Sequence, residues 1–186
     1  TTGPLGQGVA NAVGQALGLK ILGAKFNTPE FPLFTSKVYC LAGDGCLMEG
    51  ISAEASSLAG HLQLDNLILI HDANQVTLDG FLKDACSEDT MMRYRSYGWD
   101  VYELDGYNFE QMHEVFTLIR QGQRRPVFIN MVTVIGKGSP NKAGTHKVHG
   151  SPLGAEEVAA TKKALGLPEE DFYVPQSVYQ YFQHRL

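Results

Sequence analysis

The sequence predicts an α/β fold, an open and mostly parallel sheet with helices on both faces. Three observations predict it. Apolar runs of strand length stand at 38–42, 67–73 and 126–135, and an alternating one at 99–104. Helix-period segments separate them, so strands alternate with helices, the arrangement of a parallel layer. Finally, Asp44 in Gly43-Asp44-Gly45 directly follows the first run, and Asn74 directly follows the second. Two oxygen-bearing side chains are thus expected at the ends of two strands joined by one crossover helix, where open parallel sheets bind ligands.

Residues 8–25 carry Val9, Val13, Ala16, Leu17, Leu19, Ile21 and Leu22 at broadly helical spacing. The glycines at 8, 14, 18 and 23 in this segment predict close packing against another element. Asn27-Thr28-Pro29-Glu30 breaks the helix before the strand at 38–42. Ile51, Ala55, Leu58, Ala59 and Leu62 mark one helix over 49–62 after an Asp-Gly turn. The strand at 67–73 reads as buried, interrupted late by His71 and Asp72, and Asp79-Gly80 reads as a turn. A helix at 88–97, a strand at 99–104 ending at Asp105-Gly106, an amphipathic helix at 109–121 and a strand at 126–135 follow. Residues 136–154 are rich in Gly, Pro and His and lack periodicity, and a loop of that length is more often functional than idle. A short helix is expected at 156–165. The expected division is a domain over 1–167 and, over 168–186, the start of a linker punctuated by Pro175. No internal repeat is evident.

Composition narrows the function classes. The 186 residues are 44% hydrophobic and 19% charged, enough for one α/β domain with a real core. A net charge of −5 and the absence of a long basic run give nucleic-acid binding no support. No apolar stretch approaches a membrane span, and the first residues are not a signal peptide. Cys40, Cys46 and Cys86 have no CxxC spacing and read as reduced thiols, which fits a cytoplasmic location. Cys46 reads as a small residue tolerated in a turn.

Three segments carry the chemistry. In the first, the oxygens of Asp44 and Asn74 suit a hard divalent cation, and Mg²⁺ commonly shares its coordination with substrate phosphates. Gly43 and Gly45 let backbone approach a phosphate group closely. The plain alternative is a structural Asp-Gly turn. In the second, Thr1-Thr2-Gly3-Pro4-Leu5-Gly6-Gln7-Gly8 leads into a helix start, where backbone N–H groups attract anions; it could equally be a simple glycine-rich turn. In the third, His146 and His149 stand three apart in the 136–154 loop. They could bind metal, titrate or face solvent, and a zinc site on this pair lacks a nearby third ligand.

Together the stretches TTGPLGQG, GDGCLMEGISAEASSLAGHLQLDNLILIHDANQVTLDG, YGWDVYELDGYN and GSPNKAGTHKVHGSPLG closely resemble the transketolase family, in order and over most of residues 1–154. The Glu49-Gly50-Ile51-Ser52 continuation and the His-bearing loop look like transketolase rather than other thiamine-diphosphate enzymes. The resemblance implies the diphosphate-binding domain of the thiamine-diphosphate fold, with Mg²⁺ or Ca²⁺ held by Asp44, Asn74 and the backbone carbonyl of Val76. It implies that Gly43 and Gly45 meet the diphosphate, that Gly3, Pro4 and Leu5 line the cofactor, and that His149, as the catalytic histidine, lies near the diphosphate and the incoming sugar phosphate. His146 would be a neighbour. Glu49 and Glu54 match acidic residues at the subunit interface of a homodimer; otherwise they are ordinary charges on a solvated helix face. The implied reaction, in the pentose phosphate pathway, moves a two-carbon ketol unit from a ketose phosphate to an aldose phosphate, with the cofactor as electron sink.

Two features depart from the family or limit it. Val132 stands where many members have Lys. No segment matches the second domain, which in the family lends a Glu to the cofactor's pyrimidine from the other subunit. The chain is therefore expected to be a piece of a longer enzyme, inactive alone. A dihydroxyacetone synthase would share nearly all these motifs and be separated by acceptor preference. A non-catalytic module of the same fold would have no reason to keep Asp44, Asn74 and His149.

Overall fold

The computed structural model describes residues 3–78 and 80–185. Thr1 and Thr2 of the second segment, and Asp79 of the expected Asp79-Gly80 turn, lie outside the described residues. Two compact units form, Thr1–Val134 and Ile135–Leu186.

The first unit is built on a parallel sheet of four strands in the order β1-β2-β4-β3, where β1 is Val38–Gly43, β2 Leu67–Ala73, β3 Asp100–Asp105 and β4 Val127–Val132. Alternation along the strands sorts the core onto two faces. On one face Val38, Cys40, Leu67, Leu69 and Phe128 meet helix α1 (Gln7–Phe26), helix α3 (Gly50–His61) through Ala59, and helix α4 (Thr90–Ser96) through Tyr94. On the other, Ile68, Ile70, Leu104, Val127 and Ile129 meet Met112, Val115, Phe116 and Ile119 of helix α5 (Phe109–Gly122). Helices thus cover both faces, as predicted.

The first face holds an aromatic stack. Tyr94 lies flat on Phe128 with ring centroids 3.9 Å apart, and Trp99 meets Tyr94 edge-on. Their polar ends are satisfied. Trp99 Nε1 donates to the Ser56 carbonyl at 2.9 Å, and the Tyr94 hydroxyl shares a 3.1 Å hydrogen bond with Ser56 Oγ. Burial pushes the Tyr94 phenol up to about 12.

Several expectations are corrected. The helix predicted over 49–62 forms as α3, but a second short helix, α2 (Asp44–Met48), stands before it where a turn was expected, and the extended Glu49 (φ −74°, ψ 136°) separates the two. No Asp-Gly turn precedes α2. Gly43 ends β1, and Asp44 opens the helix, where a carboxylate complements the N-terminal dipole. His71 and Asp72 do not interrupt β2 but pair within it. β4 stops at Val132 rather than Ile135, because Ala73 and Asp105, the last residues of both neighbouring strands, pair at Val132 and leave no ladder beyond it. The helical glycines make fewer close approaches than predicted. A Cβ at Gly14 or Gly18 would meet nothing within 4 Å, whereas at Gly6 (φ +78°) it would stand 2.8 Å from Glu49 Cβ and 2.9 Å from Ile51 Cγ2. Only glycine lets the segment before α1 cross the α2–α3 junction so closely.

The second unit begins with the 136–154 loop, which includes one short 3-10 turn, His146–Val148. Helix α6 (Ala155–Ala164) follows. Helix α7 (Gln176–Gln183) occupies part of the segment read as linker. It starts after Pro175, and its Val178, Tyr181 and Phe182 recur at helical spacing.

Candidate functional site

The register of β1 and β2 brings the first segment together. Gly43 pairs with Asp72 and β2 runs one residue further, so the strands end within a residue of each other, with Asp44 just beyond one tip and Asn74 just beyond the other. Gln75 joins them. Its backbone is left-handed (φ +62°), an uncommon conformation for a non-glycine residue, and its N–H donates to Asp44 Oδ2 at 2.9 Å. The next N–H, of Val76, donates to Asn74 Oδ1 at 3.0 Å. Val76 is buried and bridges to Phe81.

Each oxygen-bearing side chain has its own support. Asp44 is buried, and its Oδ1 lies 3.2 Å from His71 Nε2. Asn74 Nδ2 donates to Asp72 Oδ2 at 3.3 Å, and the other Asp72 oxygen accepts from Thr133 Oγ1. A carboxylate offers about four acceptor positions, so two contacts leave capacity on both oxygens of Asp44.

An open cleft of about 790 Å³ borders this site, lined by Gly3, Pro4, Leu5, Asn11 and Gln15 and by β1 from Val38 to Gly43. Leu5 reaches toward Gly45, its Cδ1 at 3.4 Å from where a Cβ would stand. Cys40 also lines the cleft; burial, with Cys46 beside it, pushes its thiol up, away from the reactive thiolate. Glu49, between α2 and α3, and Glu54 of α3 are exposed, as are Leu58 and Leu62.

His149 belongs to the second unit. Its Nδ1 is buried without a hydrogen-bond partner among the described residues, while His146 is exposed. The loop bearing both histidines is gathered by Glu157 of α6. Its carboxylate accepts from Ser139 Oγ, from Asn141 N at 2.9 Å and from Asn141 Nδ2 at 2.9 Å. These bonds, led by that from Ser139, hold the Glu157 carboxyl down to about 2. Lys142 Nζ adds a bond to the Leu153 carbonyl at 2.7 Å.

The residues fit a diphosphate-bound hard cation. The Asp44 carboxylate and the Asn74 amide oxygen are donors of the kind such an ion takes, and an open cleft adjoins them. Residue order alone did not point to His71, Asp72 or Gln75. The available signal was the polar pair inside an otherwise apolar strand.

Fold and site define a ligand-binding α/β domain whose polar groups converge at the tips of adjacent parallel strands. All residues from 1 to 186 match the family described as transketolase, thiamine diphosphate binding domain. The chain is 48% identical to the transketolase of Bacillus subtilis over 184 residues, covering 98% of this chain and 28% of that protein. It is 50% identical over 189 residues to that of Staphylococcus epidermidis, again 28% of the relative. Among solved structures, a Pichia stipitis transketolase in complex with sedoheptulose 7-phosphate superposes with a TM-score of 0.93 at 44% identity, covering 99% of this chain and 28% of that one. A transketolase from Leishmania mexicana gives 0.93 at 40% identity with the same coverage. The chain belongs to the transketolase thiamine-diphosphate-binding domain family, and it spans little more than a quarter of the length of the relatives it matches.

Proposed function

We propose that this chain is the diphosphate- and metal-binding part of a transketolase, which transfers a two-carbon ketol unit from a ketose phosphate to an aldose phosphate in the pentose phosphate pathway. The observation that carries the reading is the convergence of Asp44 and Asn74 through the two successive N–H groups of Gln75 and Val76. Asp44, Asn74 and the Val76 carbonyl would hold Mg²⁺ or Ca²⁺. Gly43 and Gly45 would admit the diphosphate, and Gly3, Pro4 and Leu5 would line the cofactor. When bound, thiamine diphosphate supplies the electron sink for carbon–carbon bond cleavage. The protein's own work is to neutralise and orient the diphosphate and to keep water out. His149, with its unpaired Nδ1, would hydrogen-bond the diphosphate or the incoming sugar phosphate; the sugar phosphate in the Pichia stipitis relative supports substrates of that class.

The same reading takes 1–167 as the cofactor-binding domain and 168–186 as the start of a linker. It requires a second domain whose Glu reaches the pyrimidine from the other subunit of a homodimer, so the chain alone would be inactive. Exposed Leu58 and Leu62 beside Glu54 support an interface on that surface. Three free cysteines are consistent with the cytoplasm.

The test is a melting curve with and without thiamine diphosphate plus Mg²⁺, for the parent and for Asp44→Ala. A ligand at about a hundred times its Kd should add roughly 2.7 kcal/mol. A metal-dependent rise that Asp44→Ala abolishes supports the reading. A rise that persists in Asp44→Ala sinks it.

A further inference from the structure

The strand register carries a polar row that the proposed ligand set does not use. Ala42, His71, Asn130 and Glu103 lie side by side on β1, β2, β4 and β3. Three of the four are polar, and they are linked. Glu103 Oε2 accepts from Asn130 Nδ2 at 3.1 Å, Asn130 Oδ1 lies 2.8 Å from His71 Nδ1, and His71 Nε2 lies 3.2 Å from Asp44 Oδ1. His71 is 3% exposed and Asp44 4%, with the Phe128 ring 5.8 Å from the imidazole. Both ring nitrogens face an oxygen, Asn130 Oδ1 and Asp44 Oδ1, and with the Phe128 ring beside it the buried imidazole has little room to turn. It meets one Asp44 oxygen, while the Gln75 N–H meets the other, so the plane of the carboxylate is set by two contacts from different directions.

We propose that His71 is a positioning residue for the divalent cation: it fixes the Asp44 carboxylate in its metal-binding orientation, and Asn130, with Glu103 behind it, fixes His71. This rests on the reading of Asp44 as a metal ligand. The cation itself would touch none of the three residues. Outer partners of metal ligands are worth about 10–100-fold in metal affinity. The effect should decline along the row, largest at His71, smaller at Asn130 and smallest at Glu103, whose side chain reaches solvent.

The experiment measures the Kd for Mg²⁺ by isothermal titration at saturating thiamine diphosphate, on the full-length protein that carries this chain, together with the metal-free melting temperature. His71→Phe keeps a ring but no N–H; His71→Gln keeps an N–H donor. The expected result is a Kd raised about 10–100-fold by His71→Phe and largely restored by His71→Gln, without a matching fall in the metal-free melting temperature. Parent-like affinity in His71→Phe overturns the proposal. So does an equal loss in both variants that tracks lost stability, because that marks a merely structural residue. Should His71→Phe fail to fold, Asn130→Ala decides, with a smaller rise in Kd supporting the proposal and an unchanged Kd overturning it. Asp44→Ala runs alongside. Undiminished binding there removes the metal-ligand reading itself, a failure distinct from that of His71.

Discussion

The tips of β1 and β2 and the 136–154 loop both present polar groups, but they are held by different forces. At the strand tips, polar side chains stand on a four-stranded ladder with apolar side chains packed on both faces. The 136–154 loop has no ladder. Its shape comes from left-handed glycines, as at 136, 138, 144 and 150, and from a few polar ties, chiefly those to Glu157. A group on a sheet shares the stability of the whole core, whereas a group on such a loop depends on a handful of bonds and opens locally. The first region should therefore fail globally or through its ligand, and the second locally and with acid.

The largest effect is expected from Phe128→Ala. Phe128 is fully buried under Tyr94, and truncating it should cost about 3–5 kcal/mol in urea unfolding. A loss below about 1 kcal/mol would mean that the ladder does not depend on that core. Asp44→Ala ranks next and should abolish the roughly 2.7 kcal/mol of stabilisation expected from the cofactor at a hundredfold excess over Kd, read by melting.

Glu157→Gln tests the other region. Backbone amides of Asn141 and Lys142 should exchange faster while those of β2 and β4 keep their protection; equal acceleration everywhere would erase the contrast. Acid should act in the same place. The folded Glu157 carboxyl is held down to about 2 from an ordinary 4.5, so its contribution is complete above about 4.5 and is lost as pH falls toward about 2. Exchange in the loop should rise across that window and lose this dependence in Glu157→Gln. The smallest effect is at Gln75. Asn tolerates its left-handed backbone better, so Gln75→Asn should raise stability by less than about 1 kcal/mol, and a loss would show that the Gln side chain matters.

Much of the architecture was legible. The strand at 67–73 was read to the residue because an apolar run between turn signals has few alternatives, and α1 and α5 followed from their periodicity. Helix α2 was not legible, since its five residues are too few to show a period and Asp44-Gly45 looks like a turn. Helix α7 was hidden behind a proline that looked like linker punctuation. At the site, Asp44 and Asn74 stood out because each directly follows a strand. Their supports did not. His71 and Asp72 looked like an interruption, because their partners, Asn130 and Thr133, are about sixty residues away and become neighbours only through β2–β4 pairing.

Residue order thus settled the α/β class, the family, and which side chains follow which strands, because periodicity and motif spacing are local properties of the chain. Packing decided which polar groups meet. Parallel pairing brings His71 level with Asn130 and Glu103, and α6 delivers Glu157 to Ser139 and Asn141. Strand register and helix docking are set by the burial of whole apolar faces, a collective free energy to which no single stretch of sequence holds the key.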